Sequence, residues 1–132
     1  MEMEQNYWLV FANRRYANHA ESFRQIGLIS WRQKRNRFQI GDIVYVFVSD
    51  ERCIRFKAVV TAKDVKREDA AFWNAAAPMH DTFRLSMEAE YEGDGLDENI
   101  LKEHGFKGGR SLQHPMKLKN HPDLLAYIRN LF

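Results

Sequence analysis

From Asp42 to Ser49 the chain sets Ile43, Tyr45 and Phe47 on one side of an extended backbone and Val44, Val46 and Val48 on the other. Six consecutive apolar residues of this kind leave no face for water, which predicts a strand covered on both sides. Asp50-Glu51 then supplies a turn, and Cys53 to Thr61 alternates, with Ile54, Phe56, Ala58 and Val60 inward against Arg55, Lys57 and Val59. The two segments predict a hairpin.

Gln5 to Ala12 (QNYWLVFA) is also apolar on both faces, is bounded by Asn13, and reads as a central strand. Tyr16 to Ile26 brings Tyr16, Ala20, Phe23 and Ile26 near helical spacing and stops at Gly27, predicting a helix. Ala70 to Pro78 (AAFWNAAAP) reads either as a short helix or as a loop packing Phe72 and Trp73 onto a barrel. Thr82 to Tyr91 alternates strictly, Phe83, Leu85, Met87, Ala89 and Tyr91 against Arg84, Ser86, Glu88 and Glu90, as a half-buried strand does. Leu96 to His104 predicts a short helix closed by Gly105, Lys107-Gly108-Gly109-Arg110 a flexible basic loop, and His114-Pro115-Met116 the approach to a last short strand. Asn120 is placed to cap a final helix, with Pro122 in its first turn, Asp123 at its positive end and Leu124, Leu125, Ile128 and Leu131 as its apolar stripe. This order predicts an α+β fold, a small mixed β-barrel of five or six strands with flanking short helices. Too few helices alternate with strands for a doubly wound sheet.

Length and composition narrow the class of protein. At 132 residues, 45% hydrophobic and 29% charged, the chain is expected to be one globular domain spanning residues 1–132, with a core that needs neither disulfide nor metal. No apolar run is long enough to span a membrane and the acidic opening MEMEQ is unlike a signal peptide, so no membrane partner and a cytoplasmic location are expected. The single Cys53 excludes an internal disulfide and a multi-cysteine zinc site, and reads as a buried or half-buried thiol.

The net charge of +2 hides an uneven distribution. Arg14, Arg15, Arg24, Arg32, Lys34, Arg35 and Arg37 crowd the first third, whereas the chain is acidic from Asp94 through Glu103. Sharing one face, the early cations would attract phosphate; scattered over loops and helices, they are only solvated charges. In the stretch SWRQKRNRF an aromatic ring, an amide and guanidinium groups stand beside the predicted strands, a combination suited to a heteroaromatic base or a charged strand.

Taken together, YWLVFAN, the ISW-x-Q element, QIGDIVYVFVS, IRFKAVVT and LKEHGFKGGRSLQHP resemble the EVE-type domains of the PUA-like superfamily over nearly the whole chain. The sharpest parts are Gly41-Asp42 before a strand ending in Ser49, and Trp31 ten residues earlier. The resemblance implies a compact β-barrel with flanking helices, related to modules that read modified bases in DNA or RNA. It also implies a partner such as a separate effector, for example a nuclease, since no nuclease domain follows here. Trp31 and Ser49 match family positions. Phe47 falls where many members have Tyr and Val48 where many have His, changes compatible with a different base or a degenerate pocket.

For base binding, Trp31 suits a stacking wall, with Tyr7, Trp8 or Phe47 as a second side; the other reading of Trp31 is a core tryptophan. Asn13, Ser30, Gln33 and Ser49 are candidates for reading a base edge, although Asn13 also suits a turn or a helix cap. Arg35 and Arg55 are candidate phosphate clamps, because a guanidinium fork matches phosphate oxygens; Arg55 also suits a plain outward strand position. No cofactor is needed. Nothing suggests an enzyme: His19, His80, His104, His114 and His121 lack metal-ligand spacing, no phosphate loop precedes a helix, and Glu88, Glu90 and Glu92 alternate as a solvated face does. Cys53 would need a distant histidine to act as a nucleophile. The expected function is a nucleic-acid-binding module, a reader of a modified base in an aromatic pocket; the alternative is a small-ligand or protein-interaction module.

Overall fold

The computed structural model of the protein describes residues 5–132, so most of the acidic opening lies outside the described residues. Six strands form in the order β1 (Tyr7–Ala12), β2 (Leu28–Arg32), β3 (Ile43–Val48), β4 (Cys53–Val65), β5 (Thr82–Glu90) and β6 (Met116–Lys117). Three helices join them, α1 (His19–Ile26), α2 (Glu98–Lys102) and α3 (Pro122–Leu131), with single 3-10 turns at Ala70–Phe72, Gly109–Ser111 and Leu118–Asn120. All belong to one sheet, in the spatial order β2-β5-β4-β3-β1-β6. β1 and β3 run parallel, with Tyr7 opposite Ile43 and Ala12 opposite Val48. The other neighbours are antiparallel, and β1 takes β6 on its far edge through Trp8–Lys117 and Leu9–Met116.

Because β3 has a strand on either edge and a core on either face, all six of its residues are buried, as their unbroken apolar character requires. Val44, Val46 and Val48 join Val10, Phe56 and Leu85 in an inner core closed by Phe23 of α1. Ile43, Tyr45 and Phe47 join Leu101, Leu124 and Ile128 in an outer core beneath α2 and α3.

The sheet does not close into the expected barrel: β2 and β6 lie at its two ends and share no ladder. Register shifts interrupt its β3–β4 and β4–β5 ladders, and such bulges bend and twist the strands that carry them. Phe38, on the connection from β2 to β3, has its ring 5.3 Å from Trp8 on β1 and 5.3 Å from Phe83 on β5. One aromatic side chain thus links the inner faces of β1 and β5, two strands that are not neighbours in the sheet.

Several local expectations are corrected. The first helix starts at His19, three residues after Tyr16, because Asn18 caps it by accepting the Glu21 N–H at 3.1 Å, while Asn13 closes a turn that leaves Tyr16 exposed. Gly27 ends it in the left-handed conformation. Ser30 and Trp31 lie on a strand of their own, β2, which the sequence pattern does not predict. Ala70 to Pro78 is a 3-10 turn followed by irregular chain. Asn120 does not cap the last helix; it ends a 3-10 turn, and His121 takes the cap position without a side-chain bond. The Lys107–Arg110 loop is not free: the Gly109 N–H donates to Glu98 Oε2 at 2.7 Å, and a Cβ there would come within 2.9 Å of Arg52 and Phe47.

Gly41-Asp42 has a structural role that the sequence pattern alone does not disclose. Gly41 adopts φ +95°, and the buried Asp42 carboxylate accepts Trp8 Nε1–H at 2.9 Å, Gln39 N–H at 2.9 Å and Asn6 N–H at 3.1 Å. It fastens β1 and the connection that follows β2 to the start of β3. Asp42→Ala orphans these three donors and is expected to lower stability by about 2–3 kcal/mol in urea denaturation, while Asp42→Asn, which keeps one acceptor oxygen, loses less.

Candidate functional site

Where the end of β2 meets the 13–19 and 67–80 segments, the surface opens into a cleft of about 790 Å³. Its base is held by a buried ion pair. Arg67 Nη1 lies 2.8 Å from Asp69 Oδ1, and both side chains are only 2% exposed. Asp69 also accepts the Ser30 N–H at 3.0 Å and Trp73 Nε1–H at 3.2 Å; Arg67 donates to the carbonyls of Ser30 (3.2 Å) and Pro78 (2.8 Å) and lies 4.6 Å from the Trp73 ring centroid. β2 and the 67–78 segment are thereby locked together, which places the half-buried Trp31 and Trp73 on one cleft.

His19 sits between these indoles, its ring 5.8 Å from Trp31 and 6.5 Å from Trp73. Its Nδ1 is buried without a well-formed hydrogen bond among the described residues. Burial drives its pKa down to about 4, with the nearby Asp69 carboxylate opposing and Arg67 adding to the fall, so the imidazole is neutral at neutral pH.

The rim is basic. Arg32, Lys34, Arg35 and Arg110 are exposed around the opening, and with Arg67 the cleft lining carries five cationic side chains and no carboxylate. Among the described residues none of these four rim cations has an ion-pair partner. Also among the described residues, no cluster of His, Cys, Asp or Glu is arranged to hold a metal ion, and no helix is long and apolar enough to cross a membrane. Cys53 is buried at the start of β4, and burial pushes its thiol pKa up.

Of the residues singled out from sequence, the structure brings Asn13, Ser30, Trp31 and Arg35 to this cleft. Ser30 is fully engaged there: its Oγ accepts the Glu68 N–H at 2.9 Å while its backbone holds the ion pair, so it shapes the wall and has little left to offer a ligand. The other four lie elsewhere. Phe47 faces the outer core, fully buried against Phe11 and Phe106 with Arg52 over its ring, so it is no second wall. Ser49 Oγ accepts the Arg14 N–H at 2.8 Å, fixing a turn. Gln33 is tied to Asp64 through both its amide atoms. Arg55, the extra residue of a bulge where Val46 pairs with Phe56 and Phe47 with Ile54, donates to the carbonyls of Tyr91 and Gly93 and pairs with Glu51. It is a structural cation and no phosphate clamp. Tyr7 and Trp8 do not line the cleft either: Trp8 is bonded to Asp42 and Tyr7 lies under Arg129.

Sequence reading passed over Tyr16, His19, Arg67, Trp73 and Arg110 as site residues. The available signals were the tryptophan in AAFWN, read as packing only, and the basic Lys107–Arg110 loop, read as flexible.

No protein-family model matches the chain, and no curated protein is significantly similar to it. Among solved structures it resembles the crystal structure of a structural-genomics target protein from Pseudomonas putida, with a TM-score of 0.60 at 17% sequence identity, over 95% of this chain and 98% of that one. At that identity the likeness concerns the fold alone.

Proposed function

We propose that this chain is a nucleic-acid-binding module that takes a base into the cleft beside Trp31 and holds the adjoining phosphates with the cations of the rim. The observation that carries this reading is the lining itself: exposed Arg32, Lys34, Arg35 and Arg110, without ion-pair partners among the described residues, around half-buried indoles, with no carboxylate in the lining. Such a site supplies both stacking and a field that draws in phosphate. Trp73 and the exposed ring of Tyr16 replace Phe47 as candidates for the second side.

The bulged six-stranded sheet with its flanking helices supports regarding the fold as a PUA-like barrel left open between its end strands, and the module as an EVE-type reader of a modified base in DNA or RNA. A separate effector protein, such as a nuclease, would then act on what the module has bound.

Fluorescence anisotropy with modified and unmodified oligonucleotides tests the reading. Trp31→Ala, checked for folding by circular dichroism, is expected to weaken binding by about 1–3 kcal/mol, roughly a five- to 150-fold change in Kd. Affinity should also fall steeply with salt. Unchanged binding in a folded Trp31→Ala variant would move the site elsewhere. Salt-independent binding of an uncharged small molecule in the same cleft would favour the small-ligand alternative.

A further inference from the structure

Arg110 lines two depressions. Beyond the cleft, on the other side of the 107–110 loop, Arg52, Lys102, Lys107 and Gly108 share a second hollow of about 480 Å³ with Glu98. Eight of the chain's twenty Lys and Arg residues line one or other of these depressions, against a single carboxylate. As the whole chain carries only +2, its remaining residues sum to a negative charge, so the excess of positive charge lies along this path.

That carboxylate holds the path in place. Glu98 receives Arg52 at 2.6 Å and the Gly109 N–H at 2.7 Å, and these bonds keep its pKa below the usual carboxylate range. Ser111 Oγ donates to the Gly108 carbonyl at 2.6 Å within the same turn. The loop is therefore rigid, with Lys107 and Arg110 exposed on either side of a buried glycine pair. A pinned loop presents its charges without first losing conformational entropy on binding.

We propose that the second hollow is a phosphate subsite for the same nucleic acid: from the base in the cleft, the sugar–phosphate backbone of a single strand passes over Arg110 and onto Lys102 and Lys107. This rests on the cleft reading, and its test separates the two. Binding of a twelve-nucleotide single strand is measured by anisotropy across a salt series for the wild type, Lys102→Ala/Lys107→Ala, Trp31→Ala, and a control, Lys63→Ala/Lys66→Ala, which removes equal charge from exposed positions lining neither depression. The Lys102/Lys107 variant is expected to bind roughly tenfold more weakly with its log–log salt slope reduced by about 1.4, and the control to change far less. Trp31→Ala should lose affinity and keep the slope. An unchanged slope in Lys102→Ala/Lys107→Ala, or an equal loss in the control, overturns the subsite while leaving the cleft intact if Trp31→Ala still weakens binding. Equal affinity for polyglutamate of matched charge overturns it as well. Failure of the wild type to bind the strand overturns both readings.

Discussion

Replacing Asp69 by alanine should destabilise the fold by about 3–5 kcal/mol, a large share of a small domain's stability. The carboxylate is 2% exposed and accepts three donors, from Arg67, Ser30 and Trp73, so its removal leaves an uncompensated guanidinium and two orphaned N–H groups in the interior. Asp69→Asn, nearly the same shape, should fail almost as badly, because charge and not volume is what Arg67 lacks. Arg67→Met exposes the converse defect, a buried carboxylate with two donors remaining and the carbonyl of Pro78 unpaired. Joining Arg67→Met with Asp69→Leu should cost markedly less than the sum of the single changes, since neither charge is then stranded. Urea denaturation of these four variants and of Asp69→Leu alone measures this directly. A loss below about 1 kcal/mol for Asp69→Ala would show that water reaches the pair.

Acid should weaken the protein through His19. Its ordinary pKa of 6.5 falls to about 4 in the folded chain. Above 6.5 the group is neutral in both states and contributes no pH dependence. Below 6.5 the unfolded chain takes up the proton while the folded chain does not until about pH 4, so stability falls across that window by roughly 3 kcal/mol in all. His19→Phe keeps a flat ring between Trp31 and Trp73 but removes the proton site. In denaturation series between pH 7 and 4, the variant should lose less stability than the wild type by about that amount. Parallel curves for the two proteins would mean that the imidazole is protonated without opening the site.

Strands were legible where an apolar run was unbroken, as in Ile43–Val48, or where a two-residue period was, as in Thr82–Glu90. β2 escaped notice because LISWR is only five residues long and runs straight from Gly27 into a basic cluster, so its alternation never outweighs its surroundings. Closure of the sheet was also beyond the pattern, since a period fixes which residues share a face and says nothing about whether the last strand meets the first. The same limit governed the site. Trp31 and Arg35 sit on or near one short segment and could be found together. Phe47 was assigned to the wrong side because both faces of β3 are apolar, and nothing local tells the inner from the outer. The Arg67–Asp69 pair was invisible for a different reason: its partner Ser30 lies 39 positions before Asp69, and only the folded chain makes them neighbours.

The placement of β1 bears on how the polypeptide is made. This early strand emerges from the ribosome long before Met116 and Lys117, which cover its outer edge. Until they arrive, its row of amide groups on that side is bare, in a segment as greasy as YWLVFA. A nascent chain in this condition is an adhesive rim for other unfinished polypeptides, and a chaperone that shields its opening segment would raise the yield of native protein.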